Sequence, residues 1–137
     1  MDTGIKSTDL FRARAEVDLG AIKRNLSALS ERLPRDVSPV AVIKADAYGH
    51  GALSVAKAVK DSVSAFAVAT AGEAIELSEG GIRKPIYILG FSHPALSEEI
   101  VTHSLIPTVF SKEDARALSD TAKRLGKEVL VNIKIDT

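Results

Sequence analysis

A recurrence of short apolar segments constrains this chain more than any other feature. PVAVIK (39–44), AFAVAT (65–70), PIYIL (85–89), IPTVF (106–110) and VLVNIKI (129–135) begin 26, 20, 21 and 23 residues apart. Most are rich in β-branched residues, as expected of strands covered on both faces. A shorter candidate strand, AEVD at 15–18, precedes them.

Helical patterns fill the intervals. Ile22, Leu26, Leu29 and Leu33 recur at helical spacing, and Pro34 is expected to stop that helix. A shorter pattern at 51–60 sets Leu53, Ala56 and Val59 on one side. Thr70 and Glu73 have the spacing of a capping box, opening a helix that ends at Gly80-Gly81. Ser92 precedes Pro94 and a helix through Ile100. Ser111 and Asp114 repeat the capping signal, followed by Leu118, Ala122 and Leu125, with Gly126 as the stop.

Strands alternating with helices at this spacing imply an α/β fold with a parallel sheet. Two architectures fit: an open, doubly wound sheet of five strands, or part of an eight-stranded barrel. A length of 137 residues favours the open sheet, since a closed barrel needs about 200 or more. No Gly-x-Gly-x-x-Gly or Walker-type loop supports nucleotide binding. VNIKIDT, at 131–137, finishes near a strand end, which would leave an apolar sheet edge uncovered; a truncated domain is expected on that ground.

Composition excludes several function classes. Eighteen basic and eighteen acidic residues balance, without a clustered basic surface for nucleic acid. Four Phe, two Tyr and no Trp make a poor base-stacking platform. No apolar run approaches the ~20 residues of a membrane span, and no signal-peptide pattern opens the chain. The absence of cysteine rules out disulfides and thiolate metal sites. A cytoplasmic location is expected.

Chemistry concentrates in VIKADAYGHG, residues 42–51. Strand alternation sets Val40, Val42 and Lys44 on one side, so Lys44 is expected to share the direction of buried valines. Desolvation favours the neutral amine, and a neutral lysine amine attacks aldehydes. Gly49 and Gly51 allow a tight turn, and Tyr48 offers a hydroxyl four residues beyond the lysine. The bland alternative is a strand that ends at Lys44 with its ammonium in water. A phosphate loop on Gly49–Gly51 is another reading. His50 reads as a turn residue. His93 and His103 fall in unrelated segments, so no metal site is expected.

The motif VIKADAYGHG resembles the cofactor-lysine motif of alanine racemases, which are pyridoxal-phosphate enzymes with a barrel domain. RAEVDLGAIKRNL (14–26) resembles their N-terminal strand and helix. VNIKIDT resembles the start of a segment that continues with Gly-Met-x-Arg. The resemblance covers roughly residues 12–137. It implies the N-terminal portion of a (β/α)8 barrel, about five of eight strands, preceded by the extra strand at 15–18 and a helix. Residues 1–14 would form an N-terminal arm, residues 15–137 a truncated barrel domain, and the C-terminal β domain would be absent.

The resemblance also assigns roles. Lys44 would hold pyridoxal 5'-phosphate and act as one of two acid/base groups. Tyr48 would hydrogen-bond the cofactor phosphate. Lys134 falls where some members carry a carbamylated lysine. The parent protein would be a homodimer interconverting L-alanine and D-alanine, the latter for cell-wall synthesis. Its second acid/base group is a tyrosine from the other subunit's C-terminal domain. Tyr87, mid-strand, cannot replace it and is expected to pack. The chain alone is therefore expected not to racemise alanine. Two alternatives stand beside this reading: another pyridoxal-phosphate barrel enzyme, such as a broad-specificity racemase, and a non-catalytic α/β domain binding a phosphate ligand.

Overall fold

The computed structural model describes Ala13 and residues 15–135. The expected arm at 1–14 therefore lies almost wholly outside the described residues. Helix α1 (Leu19–Ser30) leads into strand β1 (Val40–Val42) and a single turn, α2 (Lys44–Gly49). Then follow α3 (Ala52–Val59), β2 (Ala65–Val68), α4 (Ala71–Glu79) and β3 (Ile86–Ile88). The chain continues through α5 (Ser97–Thr102), β4 (Ile106–Val109), α6 (Lys112–Leu125) and β5 (Asn132–Ile133).

The five strands form one parallel sheet in the order β1-β2-β3-β4-β5. Each strand lies beside its predecessor and the order never reverses. A doubly wound sheet must reverse at a switch point; a barrel adds strands in one direction. The topology thus decides against the open doubly wound alternative that length favoured.

The helices cover one face of the sheet. Ile43, Phe66, Val68, Ile86, Ile88 and Val109 point into a core shared with Val55 and Val59 of α3, Leu77 of α4, Ile100 of α5 and Leu118 of α6. Phe66 and Ile88 are fully buried there, each worth about 1.5–3 kcal/mol of transfer free energy. Register sets the opposite face: Val40 pairs Ala65, Val42 pairs Ala67, Ala67 pairs Tyr87, and Thr108 pairs Asn132. This inner face carries a polar ladder. Thr108 Oγ1 donates to the Ile88 carbonyl at 2.7 Å and accepts from Asn132 Nδ2 at 3.3 Å.

Both predicted capping boxes form, at Thr70/Glu73 and Ser111/Asp114. Gly126 closes α6 in the left-handed region (φ 62°). Four expectations are corrected. Residues 15–18 form no strand; Asp18 instead caps α1, its carboxylate accepting from Ala21 N at 3.0 Å and from Arg24 at 3.3 Å. Helix α1 stops at Ser30, before Pro34, and Leu33 lies beyond it in a turn. The segment after Ser92 is capped by His93, whose Nδ1 accepts from Ala95 N, and runs as a 3-10 turn (Pro94–Leu96) into α5. The stretch 129–135 pairs only at Asn132–Ile133, extended by Lys134 N donating to the Val109 carbonyl. It stays an exposed edge because no described element covers Leu130, Ile133 or Ile135.

Candidate active site at the carboxyl ends of the strands

Strand β1 leads to Lys44. Ile43 turns into the helix-side core, and its N–H donates the last ladder bond of β1 to the Ala67 carbonyl at 2.9 Å. Ile43 has ψ 29°, outside the extended region, so the alternation that sets Val40 and Val42 on one face ends with β1, and Lys44 opens the turn that follows. These valines are not buried as expected: they are 44% and 43% exposed on the inner face. Both lie on the edge strand β1, whereas Ala65 and Ala67, on the same face of the next strand, are buried.

The chain after Lys44 is unusual. Ala45, Asp46, Ala47 and Tyr48 all adopt left-handed helical angles, with φ between 51° and 55°. L-residues avoid this region because Cβ crowds the following carbonyl, at a cost of about 1–2 kcal/mol each. Four in succession form one left-handed turn rather than the simple glycine turn that the sequence suggests.

Surrounding contacts hold that turn. Ala47 is buried and its N–H donates to the Ile43 carbonyl at 2.9 Å. Gly51 N donates to the Asp46 carbonyl at 2.9 Å, and the Asp46 carboxylate accepts from Ala52 N at 2.6 Å, restraining entry into α3. His50 Nδ1–H donates to the Ala47 carbonyl at 2.8 Å, the turn role expected of it. The remaining tie comes from outside. Glu73 Oε1 accepts from Ala45 N at 2.6 Å. The other oxygen, Oε2, accepts from Ala69 N at 2.8 Å, Thr70 N at 2.9 Å and the Thr70 hydroxyl at 3.2 Å. Partial burial raises the Glu73 pKa, but these hydrogen bonds together hold its carboxyl below the usual range.

Glu73 is the functional candidate that sequence reasoning left as a helix cap. One legible signal pointed to it: its capping box opens directly after β2; that β2 lies beside β1 came only from the structure. The loops after β2 and β3 also meet at this end. Gly90 N donates to the Ala69 carbonyl at 3.0 Å, and a Cβ on Gly90 would meet that oxygen at 2.5 Å. Phe91 and Phe110, from the loops after β3 and β4, stack edge-on with centroids 6.4 Å apart.

The predicted residues divide in two. Lys44 and Tyr48 sit at either end of the same turn, Lys44 half-buried and Tyr48 60% exposed. Lys134 follows β5, at the other edge of the sheet. Four strand spacings separate them, roughly 19 Å along the sheet. Tyr87 is half-buried mid-strand on the inner face. His103 pairs with Ser78 at 3.1 Å, and no metal-ligand cluster occurs among the described residues. A cleft of about 660 Å³ lies at the opposite ends of the strands, between Arg83, Pro85, Leu105 and Glu128. Functional groups of such sheets gather at the carboxyl ends instead.

A sequence profile describing the alanine racemase N-terminal domain matches residues 17–137. The chain belongs to the alanine racemase family. The alanine racemase of Geobacter sulfurreducens is 42% identical over 124 residues, covering 90% of this chain and 32% of the relative. The chain thus spans about a third of the length of the curated alanine racemases it matches. A solved alanine racemase from Clostridium difficile, in complex with cycloserine, aligns with a TM-score of 0.83 at 40% identity, over 86% of this chain and 32% of that one. The alanine racemase from Streptomyces coelicolor gives 0.84 at 32% identity, over 96% and 35%. The one-directional parallel sheet is therefore the N-terminal part of the family's barrel.

Proposed function

We propose that this chain is the cofactor-lysine portion of an alanine racemase and that Lys44 holds pyridoxal 5'-phosphate. The observation that carries the reading is the family motif at 42–51 folded as a clamped turn, with Lys44 just past the carboxyl end of β1. The residues around it fit such a group. On the strand beside β1, the residues that pair with Val40 and Val42 are small, Ala65 and Ala67. Residues 15–137 would form the barrel portion, with residues 1–14 as an arm.

Bound pyridoxal phosphate supplies an electron sink that eases loss of a proton α to the substrate's amino group. Lys44 Nζ would tether the group and carry a proton on one face of the substrate. The Tyr48 hydroxyl would donate to the phosphate. Lys134, if carbamylated, would present a negative charge at the far edge of the sheet. Racemisation also needs a proton donor on the opposite face, and a well-placed acid/base group contributes about 10²–10⁴-fold. Tyr87, held mid-strand in β3, is not at the carboxyl end to serve. This chain alone is expected not to racemise alanine. The full-length protein would be a cytoplasmic homodimer acting on L- and D-alanine, supplying D-alanine for cell-wall synthesis.

Borohydride reduction of the chain with pyridoxal phosphate, followed by peptide mass spectrometry, tests the assignment. A phosphopyridoxyl adduct dominant on Lys44 is expected. Labelling spread evenly over Lys57, Lys60 and Lys44 would overturn it and favour a non-catalytic phosphate-binding domain.

A further inference from the structure

We infer that Glu73 is a positioning residue for Lys44. Its carboxylate ties the left-handed turn to the end of the neighbouring strand, and so aims the amine. The inference rests on the proposed role of Lys44 and extends it to a residue on a different element.

The two carboxylate oxygens have separate tasks. Oε2 gathers three donors, all from Ala69 and Thr70, and completes the cap of α4. Oε1 serves a single donor, the amide of Ala45, the residue that follows Lys44. Ala45 is also the first of the four residues at positive φ. Each of the four favours return to ordinary angles, and that return would swing the strand end that carries Lys44. The Asp46 and His50 contacts act further along the turn. Among the described side chains, only that of Glu73 bonds the backbone next to the lysine.

The asymmetry provides a selective variant. In Glu73→Gln the single remaining acceptor oxygen is better used by the three donors of Ala69 and Thr70. The amide NH2 then faces the Ala45 N–H, donor against donor. The helix cap survives and the tie to the turn is cut. Thr70→Ala does the reverse: it removes the hydroxyl that accepts from Glu73 N and leaves the Ala45 bond.

The test compares wild type, Glu73→Gln and Thr70→Ala. Two readouts are used: site-resolved labelling of Lys44 by pyridoxal phosphate and borohydride, relative to Lys57 and Lys60, and hydrogen exchange at the Ala45 amide. Glu73→Gln is expected to lower the relative labelling of Lys44 at least about tenfold, since misplacement near 1 Å costs on the order of 10²-fold. It should also speed Ala45 exchange, while Thr70→Ala changes neither by more than about twofold. Unchanged labelling and exchange in Glu73→Gln would overturn the inference. An equal loss in Thr70→Ala would do so too, by showing a general effect of the cap. The function reading fails separately, if wild-type Lys44 shows no preference for pyridoxal phosphate. Acetylation of Lys44 by acetic anhydride then decides the inference without any cofactor: a changed relative rate in Glu73→Gln supports it, and an unchanged rate overturns it.

Discussion

Two junctions between strand and helix show how differently this chain solves one problem. At β4 to α6 the solution is local. Ser111 Oγ accepts from Asp114 N at 3.1 Å, while Asp114 Oδ2 accepts from Ser111 N at 3.0 Å and Phe110 N at 3.1 Å. Every partner lies within four residues, and no φ is strained. At β1 to α3 four successive non-glycine residues sit at positive φ, and a carboxylate 28 residues away stabilises the first. The relaxed junction carries no proposed chemistry; the strained one carries Lys44. Strain of this kind persists only where surrounding contacts over-determine it. A relaxed, self-capped turn needs no such support, so it can form from its own sequence.

The contrast can be broken most completely at Lys44. Lys44→Ala is expected to abolish the visible absorbance of bound pyridoxal phosphate, since Lys57 lies on a helix and Lys134 beyond another strand. Spectra retaining that absorbance would show the wrong lysine was chosen. A smaller effect separates the caps. Ser111→Ala and Thr70→Ala should each cost about 1 kcal/mol, the usual worth of an N-cap side chain. Urea unfolding checks this, and a loss below a few tenths at both would mean that neither cap matters to stability.

The next comparison is one of sign. Ala45→Gly relieves a left-handed residue worth about 1–2 kcal/mol, against about 0.5–1 kcal/mol of added chain entropy. It should leave stability level or raise it by up to about 1.5 kcal/mol. Ala115→Gly, within α6, should lower stability by about 1 kcal/mol. Equal losses at both positions, measured in parallel melts, would contradict the strained turn.

The smallest expected effect is on pH dependence. The hydrogen bonds to Glu73 hold its carboxyl below the usual range in the folded chain, so folding favours the ionised form. The stabilisation is full above the ordinary carboxylate pKa and fades as pH falls through the lower folded value. Protection of the Ala45 amide should therefore persist from neutral pH into mild acid, then drop. Protection that fell already between pH 8 and pH 6 would contradict the role given to the Glu73 carboxylate.

Much of this was legible without coordinates. Periodicity marked the parallel α/β class, and the Ser/Thr-x-x-Asp/Glu spacing marked two helix starts, because those signals are local and repeat within a turn or a strand. The motif at 42–51 singled out Lys44 and Tyr48. Tertiary structure alone decided the rest. The order of the strands chose the barrel over the open sheet, since pairing joins residues 19 to 25 positions apart. Residues 15–18 have the composition of a strand but form none in the described structure, and Asp18 uses its side chain to cap α1. The half-exposure of Val40 and Val42 followed from the place of β1 at an edge of the sheet. Glu73 bears on Lys44 because β1 and β2 are neighbours, a fact no window of sequence around either residue contains. Local chemistry was written in the sequence near each element; the aim of Lys44 was decided by a partner brought from another helix.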